Sequence, residues 1–147
     1  MNSFISDLHI HSRFSMATSK QLTVPHLCGW AMVKGINVLG TGDFTHPKWR
    51  QELRDNLVFD EETGFYRPTA APEPVFPDLS SSPARPPYFC LQTEISSIYK
   101  RGGKVRKVHN LVFMPTLEDA DRFSEKLGQI GNINSDGRPI LGLDSAD

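Results

Sequence analysis

Apolar residues fall along this chain in short blocks whose period switches between that of a strand and that of a helix. Residues 4–10 (Phe-Ile-Ser-Asp-Leu-His-Ile) predict a strand buried on both faces near the start of a parallel sheet. Val24, Leu27, Cys28, Ala31 and Met32 then recur at helical spacing. They predict a helix over Val24–Lys34, with Thr23 as its cap, Pro25 in its first turn and Gly35 at its end. Residues 36–41 predict a second buried strand, so the chain opens as strand–helix–strand, the right-handed parallel unit. Pro47 starts a second helix to about Leu57, with Trp49 and Leu53 on one side.

The pattern then collapses. Residues 68–87 hold seven of the chain's eleven prolines, together with Ser80, Ser81 and Ser82. That density excludes regular elements, so 60–87 reads as a Pro-rich insertion running over the surface. Residues 88–95 predict a third buried strand. Residues 96–114 predict a hairpin: an arm out to Lys100, a turn at Gly102-Gly103, and a return through Val105, Val108, Leu111 and Phe113. Pro115 stops it, and Thr116-Leu-Glu-Asp119 resembles a capping box for a helix to about Leu127, with Ala120, Phe123, Leu127 and Ile130 as its stripe. Residues 131–139 read as loop, and Asp144-Ser145 as the start of a further helix. No internal repeat is visible.

Composition bounds the reading more than it directs it. At 147 residues, 1–147 reads as one domain with room for a core. A formal net charge of −1 gives no global field toward nucleic acid or membrane, so any steering must be local. No leader-like or membrane-spanning stretch is expected. Cys28 and Cys90 lie far apart, without metal or redox spacing, and read as buried free thiols in a reduced cytoplasmic setting.

The chemistry-bearing residues sit at the carboxyl ends of the predicted strands, where parallel α/β folds build their sites. Asp-Leu-His-Ile-His-Ser at 7–12 puts His9 and His11 on one face of a strand. Asp43 and His46 follow the second strand, Glu94 ends the third, and His109 lies on the return arm of the hairpin. Each has a plain alternative. The first two histidines could be edge-strand residues, Asp43 a turn residue after Gly42, His46 a helix cap, and His109 a half-buried hairpin position. Glu94 is harder to dismiss, because an unpaired carboxylate on an apolar strand is costly. Together, imidazole and carboxylate suit zinc, manganese or iron. Such a cluster polarises a phosphoryl oxygen and activates water for phosphoester hydrolysis.

Asp-Leu-His-Ile-His-Ser, Thr-Gly-Asp-Phe-Thr-His-Pro at 41–47 and Gln-Thr-Glu-Ile-Ser at 92–96 resemble the PHP (polymerase and histidinol phosphatase) superfamily. Ala-Thr-Ser-Lys at 17–20, Lys-Val-Arg-Lys-Val-His-Asn-Leu at 104–111 and Ser-Asp-Gly-Arg-Pro at 135–139 resemble its endonuclease Q branch, which nicks DNA beside deaminated bases. The resemblance implies a distorted β/α barrel with a multinuclear metal centre. It implies His9 and His11 as the ligands of the first motif, Glu94 as a bridging carboxylate and His109 as the histidine after it. Asp7 would orient the histidines, and Asp7 and Glu94 would be the catalytic carboxylates. In the second motif the family has a histidine directly after the aspartate. Here Phe44 stands there, so either Asp43 or His46 is the ligand, with His46 favoured. Divalent metal is implied, zinc first, with manganese, iron or magnesium also compatible.

Members of the family run well past residue 147 and supply a further histidine, a late Asp-x-His pair and a DNA-binding tail. No histidine follows His109. The expectation is therefore an incomplete domain, α/β in class, forming about the first half of a distorted β/α barrel. A half-barrel exposes an edge and favours a homo-oligomer. Lys100, Arg101, Lys104, Arg106 and Lys107 form a basic run with no acid among them. Alone it reads as a solvated hairpin tip; beside a metal cluster it reads as a grip on DNA phosphate. The leading expectation is a metal-dependent phosphodiesterase that cuts DNA 5′ of a deaminated base. A small-molecule phosphatase of the same superfamily, and a catalytically inactive metal-binding fragment, are the alternatives.

Overall fold

The computed structural model describes residues 3–75 and 85–144. Its elements run β1 (Ser6–Asp7), α1 (Val24–Lys34), β2 (Val38–Gly40), α2 (Pro47–Asn56), β3 (Leu57–Asp60), β4 (Phe65–Pro68), β5 (Tyr88–Arg101), β6 (Lys104–Met114), α3 (Leu117–Ile130) and β7 (Ile140–Leu141). All the strands belong to one open seven-stranded sheet, with β1 and β3 at the two ends of the path β1-β2-β5-β4-β3. The result is a mixed α/β fold whose sheet does not close.

β5 is the hub. Its first residues pair with β2 in parallel, Val38 opposite Tyr88, and with β4 through Tyr66 opposite Phe89. From Leu91 on it pairs with β6 over eleven antiparallel positions, and Ser96 and Ser97 take β7 in parallel. The predicted strand 88–95 and outgoing arm to Lys100 are thus one continuous strand. Gly102 and Gly103 turn it at φ 60° and 73°, the left-handed pair that a tight hairpin needs.

Alternate β5 residues explain the layers. Phe89, Leu91 and Ile95 are buried, and Phe89 and Leu91 pack in the same core as Trp49 and Leu53 of α2 and Leu27 and Ala31 of α1. Trp49 is fully buried, and its Nε1–H donates to the carbonyls of Thr41 and Gly42 at 3.2 and 2.8 Å. α1 starts at Thr23, whose hydroxyl accepts from His26 N, and ends at Gly35 with φ 69°. α3 starts at Thr116, whose hydroxyl accepts from Asp119 N at 3.1 Å. It runs one turn past Leu127, to Ile130.

Three expectations change. The buried strand over 4–10 is reduced to Ser6–Asp7, with Phe4 69% exposed and Ile5 58%, because β1 has a neighbour on one side only. The second strand keeps only Val38–Gly40. The insertion 60–87 is not free of regular structure. Leu57–Asp60 and Phe65–Pro68 form a hairpin across 61–64, before most of the prolines begin. The Tyr66 hydroxyl accepts from Leu117 N at 2.8 Å, which ties that hairpin to α3. Residues 76–84, with Ser80, Ser81 and Ser82, and the Ser145 half of the expected terminal helix start, lie outside the described residues. Asp144 itself pairs with Arg101.

The turn after β2 packs tightly against the segment that follows β1. Gly42 has φ 65°, and a Cβ there would lie 2.7 Å from the Ile10 carbonyl oxygen and 3.0 Å from His11 Cα. Gly35 has a similar φ, but a Cβ there would meet open space. Gly35→Ala is expected to cost about 1 kcal/mol through backbone conformation alone. Gly42→Ala is expected to cost clearly more, about 2 kcal/mol or above, because backbone must also move. Urea unfolding of the two variants checks this; equal losses would mean that the 10–11 segment does not press on Gly42.

Candidate metal centre

The tight turn places Asp43. Its φ of 49° is left-handed as well, and its carboxylate is fully buried. Oδ2 accepts from Ser12 N at 2.6 Å, Ser12 Oγ at 2.8 Å and Ser15 Oγ at 2.9 Å. Oδ1 lies 3.0 Å from His11 Nδ1. Three serine donors hold the carboxylate, and the carboxylate holds the imidazole. With Nδ1–H donating to Asp43, the Nε2 lone pair of His11 is free to bind a cation.

His11 Nε2 points at Glu94, 3.3 Å from Oε2. His9 Nε2 lies 2.7 Å from the same oxygen, and His109 Nδ1 lies 2.5 Å from Oε1. Arg138 Nη1 is 3.5 Å from Oε1. Glu94 is only 1% exposed, whereas His9 and His109 are half open to solvent. Burial pushes the Glu94 carboxyl up, but the His9 hydrogen bond and the charges of His109, Arg138 and His11 outweigh it and hold the group below the usual carboxylate range. No donor among the described residues meets Oε1 with hydrogen-bond geometry, close as His109 stands.

Among the described residues, His9, His11 and Glu94 offer ligand atoms within 4.8 Å of one another. His109 joins them through Oε1 of Glu94. This donor set fits a divalent cation of the zinc class on two counts. It combines imidazole with carboxylate, and it leaves one buried carboxylate oxygen without an aligned donor. Asp43 touches the group only through His11. His46 stands apart from it. It is buried and stacked on Phe14 at 4.5 Å, and its Nδ1 meets no partner among the described residues. Asp7 is on β1, where its Oδ1 accepts from His9 N at 3.4 Å.

The basic run occupies the end of the β5–β6 hairpin. Lys100, Arg101, Lys104, Arg106 and Lys107 are all exposed, and Arg101 forks onto Asp144 at 3.1 and 2.5 Å. Sequence reasoning missed Ser12, Ser15 and Arg138. The serines carry no spacing signal apart from their place beside His11. Arg138 sits in a turn far along the chain.

No known protein-family profile matches the chain. The chain is similar to the lesion-specific endonuclease Q of Pyrococcus furiosus, whose crystal structure superposes with a TM-score of 0.69 at 34% identity, over 94% of this chain and 29% of that one. A structure of endonuclease Q in complex with a 27-mer duplex substrate, with an abasic lesion at the active site, matches equally: TM-score 0.69, 34% identity, and the same shares of the two chains. An uncharacterized protein of Methanocaldococcus jannaschii is 50% identical over 48 residues, 33% of this chain and 6% of that protein. The chain therefore spans less than a third of the length of the structures it matches. No helix among the described residues is long and apolar enough to cross a membrane.

Two histidines, His46 buried and His11 partly so, give opposite pH dependences. Desolvation holds His46 below the ordinary imidazole value of 6.5, so it costs the fold stability as pH falls through that value. His11 is raised, chiefly by its hydrogen bond to Asp43, so its stabilisation is complete below 6.5 and is lost as pH rises through the folded value. In chelator, the urea midpoint of His46→Asn is expected to fall less steeply than wild type between pH 7.5 and 5. That of His11→Asn is expected to fall more steeply. Curves parallel to wild type would contradict both assignments.

Proposed function

We propose that this chain carries the metal-binding part of a DNA phosphodiesterase of the endonuclease Q kind, within the PHP superfamily. It would act on duplex with a deaminated base and cut 5′ of the lesion. The observation that supports it most is the buried Glu94 carboxylate meeting three imidazoles at the carboxyl end of the parallel strands. Likeness to a lesion-specific endonuclease over 94% of the chain points the same way.

In this reading His9, His11, Glu94 and His109 hold divalent metal, zinc first and manganese, iron or magnesium next. The metal supplies Lewis acidity toward a phosphoryl oxygen and lowers the pKa of water. Glu94 would offer both carboxylate oxygens to the metal, Oε2 on the side of His9 and His11 and Oε1 on the side of His109. Asp43 fixes the His11 tautomer, and Ser12 and Ser15 fix Asp43. Asp7 steadies the backbone of His9. His46 braces Phe14 rather than binding metal, and Asp43 takes the place of the second motif by acting through His11. Lys100, Lys104, Arg106 and Lys107 present charge to the DNA backbone, and Arg101 holds the hairpin tip to Asp144. This basic tip favours a polymer over a small phosphate ester as substrate. The apolar side of the sheet, with Phe4, Leu8, Val38 and Phe113, supports association of two copies.

Elemental mass spectrometry on gel-filtered protein, with its solution mass, checks the first step. One or more metals per chain are expected, and at least about a tenfold loss of affinity in Glu94→Gln. No retained metal after reconstitution would overturn the assignment. A duplex with a single hypoxanthine or uracil is expected to be nicked 5′ of that base, and an undamaged duplex left intact. Charge reversal at Arg106 and Lys107 is expected to weaken DNA binding and reduce its salt slope by about 2. An unchanged slope would remove the hairpin from the interface.

A further inference from the structure

The turn Ser-Asp-Gly-Arg-Pro at 135–139 is built against the metal centre, yet none of its residues is a metal ligand. Asp136 Oδ1 accepts from Arg138 N at 3.0 Å and from Met16 N at 3.4 Å. Gly137 N donates to the Phe14 carbonyl at 3.1 Å, and Ser96 N donates to the Pro139 carbonyl at 3.0 Å. A Cβ at Gly137 would lie 2.4 Å from Asp43 Oδ2 and 2.6 Å from Ser15 Oγ. The turn rests directly on the carboxylate that orients His11. What it delivers to the site is the side chain of Arg138.

A guanidinium that neutralises a carboxylate frequently forks onto it, two N–H groups to two oxygens, or at least donates one aligned hydrogen bond. Arg101 does this with Asp144 in the same chain. Arg138 does not. It meets Glu94 at one oxygen, at 3.5 Å and without a hydrogen bond, while the other oxygen is occupied by His9 and His11. Its Nε–H is buried and has no partner among the described residues, yet the side chain remains 36% exposed. A donor without an acceptor and the acceptor Glu94 Oε1 without an aligned donor therefore stand side by side. A cation on the carboxylate and an anion on the guanidinium would satisfy both. Arginine matches phosphate in shape and charge, and it binds no metal.

We propose that Arg138 is a phosphate-binding residue of this site, receiving the substrate phosphate beside the metal that Glu94 and the histidines hold. The setting rests on the metal reading above; the guanidinium's own affinity for the anion does not. The test uses the full chain, both chelator-treated and zinc-loaded. It is titrated with dimethyl phosphate, a diester, and with methyl phosphate, a monoester, by phosphorus NMR and by the shift of the Arg138 Nε–H proton.

A saturable shift is expected in wild type, stronger with zinc bound. Arg138→Gln is expected to bind the anion about tenfold more weakly with its zinc content unchanged. Arg138→Lys, which keeps the charge beside Glu94, is expected to fold and to fall between the two, and it serves if Arg138→Gln does not fold. Stronger binding of the diester would assign the residue to a polymer backbone, and of the monoester to a cleaved end. Equal anion affinity in wild type and both variants, or no saturable shift in either form, would overturn the proposal. Anion binding by a chain that retains no zinc would leave Arg138 standing and sink the metal reading alone.

Discussion

A carboxylate almost wholly removed from water on an apolar strand stays ionised only if cations or donors surround it, because desolvation alone would drive it neutral. Glu94 is that group, and much of the structure can be read as the means of surrounding it. His9 and His11 come from the segment after β1, His109 from β6, and Arg138 from the turn before β7. Three separated pieces of chain converge on one side chain. The sheet order follows from the same need, since β5 must be central for these pieces to reach it.

Such convergence demands precision in the connections. The Gly42-Asp43 turn is where it is set. Two consecutive left-handed residues fold the chain back on 10–11, Trp49 locks the turn through the Thr41 and Gly42 carbonyls, and Gln92 Oε1 accepts from Gly42 N at 3.1 Å. Backbone strain at Asp43 is offset by the four contacts its carboxylate gains. Arg50 closes the far side, donating to the Phe44 and Thr45 carbonyls while its Nε–H holds Asp121 of α3. Helices, turn and site are one hydrogen-bonded unit rather than a scaffold with a site attached.

What could be read from the sequence was what local chemistry decides. Thr23 and Gly35 bound α1, Pro47 opens α2, Gly102-Gly103 turns the hairpin and Thr116 caps α3, each as its own residue type requires. The β3–β4 hairpin was not legible, because its place is settled by distant partners: Tyr66 against Phe89, and its hydroxyl on Leu117 N. Nor could the apolar run at 4–10 reveal that its strand sits at the end of the sheet. In the site, alternation put His9 and His11 on one side, and the cost of a buried charge singled out Glu94. The partners that orient and complete the group were hidden. Ser12 and Ser15 meet Asp43 across 31 and 28 positions, and Arg138 reaches Glu94 from a turn with no periodicity.

The unbroken course of β5 fixes a length. Arg101 lies seven positions beyond Glu94 on one strand, and at about 3.3 Å per position the two stand about 23 Å apart. Paired throughout with β6, this arm has little freedom to shorten or swing. It is a ruler rather than a finger. Adding or removing two residues on each arm would carry the basic end about 7 Å farther from or nearer to Glu94 without turning any side chain to the other face.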